Sequence, residues 1–344
     1  MTLAFTADDG IQRLVVGRVA RRRLAAELAR LGACRPLVLA SPSAATLAWQ
    51  LAAGLEAPPA GVLAEARAHV PLAAVDDAAA RAAQDGADAL LAVGGGAATG
   101  LAKATAVRTG LPIVAVPTTL AGSEATPVWA VTREGVKRTA RDALALPRVV
   151  LADPEAGAGL PADALAASGL NALAHALAAY DGPEASPASR LPGGHGAALL
   201  LEVLPDAVAG DADARAHALW ATQLTARGFA LAGAAAHHRA CHALGGALGA
   251  PHAATHAALL PHALAALPEP TARRLATDLG VDDVGQAVAG LAVRLGAPTV
   301  LPVPATEAER AVELVVEATA GSWEPAVARR AARAALAGHP PRRR

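Results

Sequence analysis

Six of the eleven histidines fall between positions 237 and 262: His237, His238, His242, His252, His256 and His262. Neutral imidazole is the commonest side-chain ligand of divalent transition metals, and it is also the ordinary acid–base group near neutral pH. His238 and His242 stand four apart, a spacing that puts both on one face of a helix. Upstream, Asn171 and His175 share that spacing. A lone histidine is usually a satisfied polar residue, but six within 26 positions, in a chain with only 17% charged residues, point to metal binding or proton transfer.

Three further stretches carry chemical groups. Gly94, Gly95 and Gly96 follow a short apolar run and precede a helical pattern. Such a turn brings backbone N–H groups close to a ligand and aims a helix N-terminus at it, which suits pyrophosphate. The spacing is not Gly-x-Gly-x-x-Gly, because Thr99 stands at the third glycine position, nor is it a Walker A loop. A plain tight turn would use the same glycines. Thr118, Thr119 and Ser123 then follow another apolar run, where open α/β sheets bind ligands, although such hydroxyls also merely satisfy loop backbone. Lys137, Arg138 and Arg141 place three cations in five residues. They form either a solvated face or a set of charge-assisted donors for carboxylates.

The elements that must position these groups divide the chain in two. Apolar runs at 36–40, 89–93, 112–116 and 148–152 read as buried strands, with helical patterns at 44–55, 76–84 and 101–108. Strands alternating with helices predict a parallel α/β sheet. Past about residue 160 the strand signal ends. Ala/Leu-rich helical stretches follow at 162–179, 196–203, 212–232, 239–248, 271–279, 284–295 and 307–319. The expected organisation is an α/β domain over 1–157, an all-helical domain over 158–337 and a frayed tail over 338–344, whose last three arginines are solvated.

Composition narrows the function classes. Hydrophobic residues make up 53% of 344, ample for two cores. Lys+Arg equals Asp+Glu at 30 each, and aromatics are 2%, so neither a basic field nor a stacking platform for nucleic acid is present. Cys34 and Cys241 make no disulfide framework. No basic n-region with an apolar core opens the chain, and no uninterrupted apolar stretch suits a spanning helix. The expectation is a cytoplasmic protein with no nucleic-acid or membrane partner.

Taken in order, six blocks resemble the iron-containing alcohol dehydrogenase superfamily, and within it most of all the maleylacetate reductases. They are the glycine block 94–103, Pro-Thr-Thr-Leu-Ala-Gly-Ser-Glu-Ala-Thr-Pro at 117–127 and Lys-Arg-Thr-Ala-Arg-Asp at 137–142. Ser-Gly-Leu-Asn-Ala-Leu-Ala-His at 168–175, His-His-Arg-Ala-Cys-His-Ala-Leu-Gly-Gly at 237–246 and Pro-His-Ala-Ala-Thr-His-Ala at 251–257 complete the series. The resemblance runs from about residue 14 to 336. It implies a Rossmann-like dinucleotide-binding N-terminal domain and an all-α C-terminal metal and substrate domain, the dehydroquinate synthase-like architecture, with the site in the cleft between them.

By the same resemblance Gly94, Gly95, Gly96 and Ala97 form the pyrophosphate loop, and Thr118 and Thr119 the second nucleotide-contacting loop. Asn171, His175, His238 and His252 fall on the metal positions, and His242 on a histidine near the nicotinamide. The implied activity is reduction of the C=C bond of an oxo-enedioate, maleylacetate to 3-oxoadipate, by NADH or NADPH in a homodimer. Lys137 and Arg141 would clamp the dicarboxylate, while His238 and His242 act in catalysis.

Departures from the family pattern set further expectations. Asn171 replaces the alcohol dehydrogenases' aspartate, so Fe2+ or Zn2+ is expected to be weakly bound or absent. Ser41, rather than an acid, follows the first strand of the α/β pattern, which leaves room for a 2′-phosphate. Ala97, Leu120, Ala178 and Ala254 replace the family's usual Ser, Tyr, Glu and Glu. These losses motivate a second reading: a redox-inactive homologue acting as a cyclase, isomerase or binding protein.

Overall fold

The structure, a computed structural model, describes residues 2–134 and 136–342. The chain forms two compact units. The first runs to Leu160 and takes in Ala212–Trp220; the second takes Pro161–Asp211 and the chain from Ala221 onward.

In the first unit the strands are β1 (Phe5–Asp8), β2 (Arg13–Val16), β3 (Pro36–Ala40), β4 (Gly61–Leu63), β5 (Ala89–Gly94), β6 (Ile113–Pro117), β7 (Val128–Arg133), β8 (Val136–Arg141) and β9 (Val149–Ala152). The helices between them are α1 (Leu24–Arg30), α2 (Ala45–Ala53), α3 (Leu72–Gln84) and α4 (Gly96–Thr109). Seven strands make one sheet in the order β1-β2-β9-β6-β5-β3-β4. All its pairings are parallel except β1 with β2.

Beyond the β1-β2 edge the order is the doubly wound pattern 2-1-3-4-5. From β3 the chain winds outward to β4, then returns to build β5, β6 and β9 on the other side. The winding therefore reverses between β3 and β5, which opens a crevice at their carboxyl ends. β3, β5, β6 and β9 are buried along their whole lengths, as a parallel sheet covered on both faces requires. Val38, Leu91, Val93, Val114, Val116, Val149 and Leu151 pack with Leu24, Leu28, Ala48 and Ala52 of α1 and α2.

The four expected strands are present within a residue or so. The hairpin β7-β8 is additional to them. Its Lys/Arg run reads as a charged face, yet Lys137 pairs with Thr132 and Arg141 with Val128 in an antiparallel ladder. The short strands β1, β2 and β4 and helix α1 also lie outside the expected set.

The second unit is helical: α5 (Ala162–Asp181), α6 (Pro187–Ala209), most of α7 (Ala212–Ala232), α8 (Ala236–Leu248), α9 (His252–Ala265), α10 (Glu269–Leu279), α11 (Val284–Arg294), α12 (Ala308–Thr319) and α13 (Pro325–Ala337). α6 is far longer than the expected 196–203. Pro192, Gly193, Gly194 and Pro205 read as punctuation but lie inside it. The glycines serve packing: a Cβ on Gly193 would sit 2.5 Å from Ala179 Cβ of α5. α9 is not among the expected helices, because Pro251 and Pro261 bracket His252 and His256; Pro251 is its N-cap and Pro261 is accommodated inside it.

The tail expected to fray is held through Pro341. Gly338 adopts a left-handed conformation and His339 N donates to Ala334 O, a Schellman closure of α13. Gln286 Nε2 donates to Pro341 O at 2.8 Å, and Pro341 is buried. The last two arginines of the run lie outside the described residues. Among the described residues no helix is long and apolar enough to cross a membrane.

Candidate active site

In the first unit, the reversal of the sheet collects the expected nucleotide-contacting residues. β3 delivers Ser41 and β5 delivers Gly94–Gly96 to adjacent strand ends. A Cβ on Gly94 would lie 2.8 Å from Ser41 Oγ and 3.1 Å from Ala98 Cβ. Gly94 has φ +141°, open to glycine alone without strain. Gly95 is the N-cap of α4, and its Cβ would lie 2.8 Å from Thr119 Cγ2 and 2.9 Å from Thr119 Oγ1. Thr118 N donates to Gly94 O at 3.1 Å, tying the second loop to the first. Thr119 Oγ1 is buried with no hydrogen-bond partner. Gly96 and half-buried Ala97 open α4, so its unpaired N–H groups face this end of the sheet. The result is a rim of backbone N–H groups and hydroxyls, of the kind that suits phosphate.

Lys103 holds the second loop. It lies on α4, is fully buried, and its Nζ donates to Ser123 O at 2.7 Å and Thr126 Oγ1 at 3.1 Å. Burial lowers its pKa to about 7, opposed by nearby Glu124. Leu120, in the same loop, is 2% exposed.

Lys137 and Arg141 stand four apart on β8, hence on one face of the hairpin; Lys137 is half-buried and Arg141 exposed. Burial lowers the Lys137 pKa. His69, which sequence reasoning missed, is electrostatically coupled to Lys137; its pKa is lowered by burial first and by Lys137 second. His69 and Val70 have φ of 64° and 45°. Thr132 pins this strained segment: its Oγ1 donates to His69 O at 2.6 Å and its N to Val70 O at 2.9 Å. No motif marks His69, since its coupling to Lys137 is long-range.

In the second unit, α5, α8 and α9 bring the imidazoles together. The His175 and His238 rings stack at 5.3 Å, with Phe229 5.1 Å from His175 and 4.8 Å from His238. His242 lies 6.3 Å from His238 and 5.6 Å from His252. His256 lies 4.3 Å from His252, 4.6 Å from His238 and 4.9 Å from His237. Asn171, one helical turn before His175, is buried.

Burial sets the protonation of the cluster. His175 and His237 are pushed down to about 3, and His238 and His256 well below the usual value, with desolvation the largest cause in each. These rings are therefore neutral at pH 7, the form that ligates metals. Asn171 Oδ1, His175 Nδ1 and both ring nitrogens of His238 are buried without a hydrogen-bond partner. Orphaned lone pairs of this kind fit a bound cation. Among the described residues His242, His252 and His256 bring one ligand atom each within 4.8 Å of one another, which His175, His238 and His252 of the expected set do not. His256 is absent from the expected ligand set, although its position four after His252 repeats the spacing of the other pairs.

The family model described as iron-containing alcohol dehydrogenase matches residues 12–154, and that for the C-terminal part of the Fe-containing alcohol dehydrogenase family matches residues 165–328. The chain belongs to the iron-containing alcohol dehydrogenase family and is an oxidoreductase. It is 42% identical to a maleylacetate reductase of Sphingobium indicum over 86% of this chain and 85% of that protein. Identity to a maleylacetate reductase of Burkholderia cepacia is 39%, over 91% and 92%. The crystal structure of a maleylacetate reductase from a Rhizobium strain superposes with a TM-score of 0.87 at 36% identity, covering 99% of this chain and all of that one.

Proposed function

We propose that this chain is an NAD(P)H-dependent maleylacetate reductase that converts 4-oxohex-2-enedioate to 3-oxoadipate. The observation that carries the reading is the identity of about 40% to maleylacetate reductases over most of both chains. Nothing in the fold or among the relatives favours the redox-inactive alternative.

One hydride from the reduced nicotinamide adds to the alkene carbon β to the ketone, the alkene electrons pass to the ketone oxygen as an enolate, and one proton from solvent forms the C–H bond at the α carbon. The backbone N–H groups of Gly94, Gly95 and Gly96, Ala97 in the first turn of α4, and the hydroxyls of Thr118 and Thr119 hold the dinucleotide. Ser41 in place of an acid accepts NADPH as well as NADH. Lys137 and Arg141 hold the carboxylates by charge-assisted hydrogen bonds. His242 moves the proton to the enolate carbon, while His238 stays neutral through burial. Asn171, His175, His238 and His252 would hold Fe2+ or Zn2+. When bound, such an ion supplies Lewis-acid stabilisation of the enolate oxygen. An amide oxygen in place of a carboxylate makes this set neutral, so the ion is weakly held or dispensable. The reading also carries a cytoplasmic homodimer.

Purified protein mixed with maleylacetate and NADH or NADPH should oxidise the cofactor far faster than protein-free controls. No oxidation of either cofactor with maleylacetate or its substituted analogues would sink the assignment.

A further inference from the structure

Helix α8 carries two ligand stripes. His238 and His242 form one, used above. His237 and Cys241 form another, also four apart and turned about 100° around the helix. α9 faces this second stripe with His256. We propose that His237, Cys241 and His256 make a second metal position, separate from Asn171, His175, His238 and His252, that takes Zn2+ through two imidazoles and one thiolate.

The three side chains are 0–1% exposed, and one ligand atom from each lies within 4.8 Å of the others. Cys241 Sγ and His237 Nε2 are 3.6 Å apart. Bond lengths of about 2.3 Å for Zn–S and 2.0–2.1 Å for Zn–N, with a tetrahedral angle between them, require an S···N edge of roughly 3.6 Å. In the metal-free protein that edge is a hydrogen bond between the thiol and the imidazole, whose proton Zn2+ would replace. Both ring nitrogens of His256 are buried without a hydrogen-bond partner, the costly state that a metal bond relieves. A set of two nitrogens and one sulfur suits Zn2+ and not a hard cation such as Mg2+ or Ca2+.

Binding is a proton exchange. The Cys241 thiol gives its proton to solvent, and its sulfur forms the bond to Zn2+, so the thiolate offsets one of the two charges entering the core. Burial holds the metal-free thiol protonated. His256 belongs to this trio and to the trio with His242 and His252. A neutral imidazole offers one lone pair, so His256 serves one position at a time. Metal at the buried position thus withdraws His256 from the open one. The inference does not depend on the reductase reading, since none of the three residues is assigned a role in hydride transfer.

The test uses the full chain as Cys34→Ser, which leaves Cys241 as its sole thiol, freed of metal by chelation and titrated with Co2+ as a coloured stand-in for Zn2+. A near-ultraviolet thiolate-to-cobalt charge-transfer band should appear. It should vanish on adding Zn2+ and be absent when Cys241→Ser is added to Cys34→Ser. X-ray absorption at the zinc edge of the Zn2+-loaded Cys34→Ser protein needs no change at the site, and it should show one sulfur at about 2.3 Å. A first shell of nitrogen and oxygen alone, or no binding of either ion, overturns the proposal.

Discussion

Gly94 and Gly95 are neighbours, yet a side chain fails at them for different reasons. At Gly94 the backbone itself, at φ +141°, excludes one. Gly95 has φ −90°, open to any residue, and its obstacle is Thr119 at 2.8 Å. Gly95→Val should therefore displace Thr119 and fill the rim where phosphate approaches. Ala97→Ser adds a hydroxyl in the first turn of α4. A hydrogen bond to a charged partner contributes about 1.5–3 kcal/mol, or one to two decades in affinity. Calorimetric titration with NADPH should show binding lost in Gly95→Val and tightened in Ala97→Ser, with unchanged circular dichroism in both. Equal affinity in all three proteins would remove this rim from the cofactor site. The glycines, hydroxyls and imidazoles of the site were legible as residue types, because turn geometry and metal chemistry restrict which residues serve. The coupling of His69 to Lys137 and the closeness of His256 to the other imidazoles were not, because both arise from proximity in space.

Helix packing explains why α6 reads too short in the sequence. Its glycines let α5 approach closely, so what looks like a break in sequence is a contact in space. Gly193→Val recovers a few tenths of a kcal/mol of helix propensity. Against that, the new side chain starts 2.5 Å from Ala179 Cβ, and overpacking of this kind costs about 1–3 kcal/mol. The clash wins, and thermal unfolding should show a clear loss of Tm. Gly246 in α8 is the control: nothing lies within 4 Å of its Cβ, so Gly246→Ala should stabilise by up to about 1 kcal/mol. If both variants shift Tm upward, close α5–α6 packing is not what retains Gly193. Strands β3, β5, β6 and β9 were legible because runs of Val, Leu, Ile and Ala bounded by turn residues are fully buried strands. α9 was not, since its two prolines carry the signature of a loop.

Folding as a whole buries Lys103, and that shapes the pH dependence of stability. Its pKa falls from 10.5 to about 7. Between those values the unfolded chain binds a proton that the folded chain does not, so stability rises with pH across that window and the penalty is greatest below pH 7. The difference in unfolding free energy between wild type and Lys103→Met should move in favour of wild type from pH 7 to pH 10, read by denaturant titration. A difference that stays constant with pH would mean Lys103 keeps its charge in the fold. The sequence by itself determined the two-part layout, the four central strands, most helices, the glycine turn and the density of imidazoles, because each follows from local period, turn chemistry or residue type. Tertiary structure alone decided the strand order that sets Ser41 beside Gly94 and Thr119 beside Gly95. It also decided that His256 lies within 4.8 Å of two different sets of side chains, His237 with Cys241 and His242 with His252. These are contacts between segments far apart in the chain, and the order of strands and the facing of helices, which no local window contains, select them.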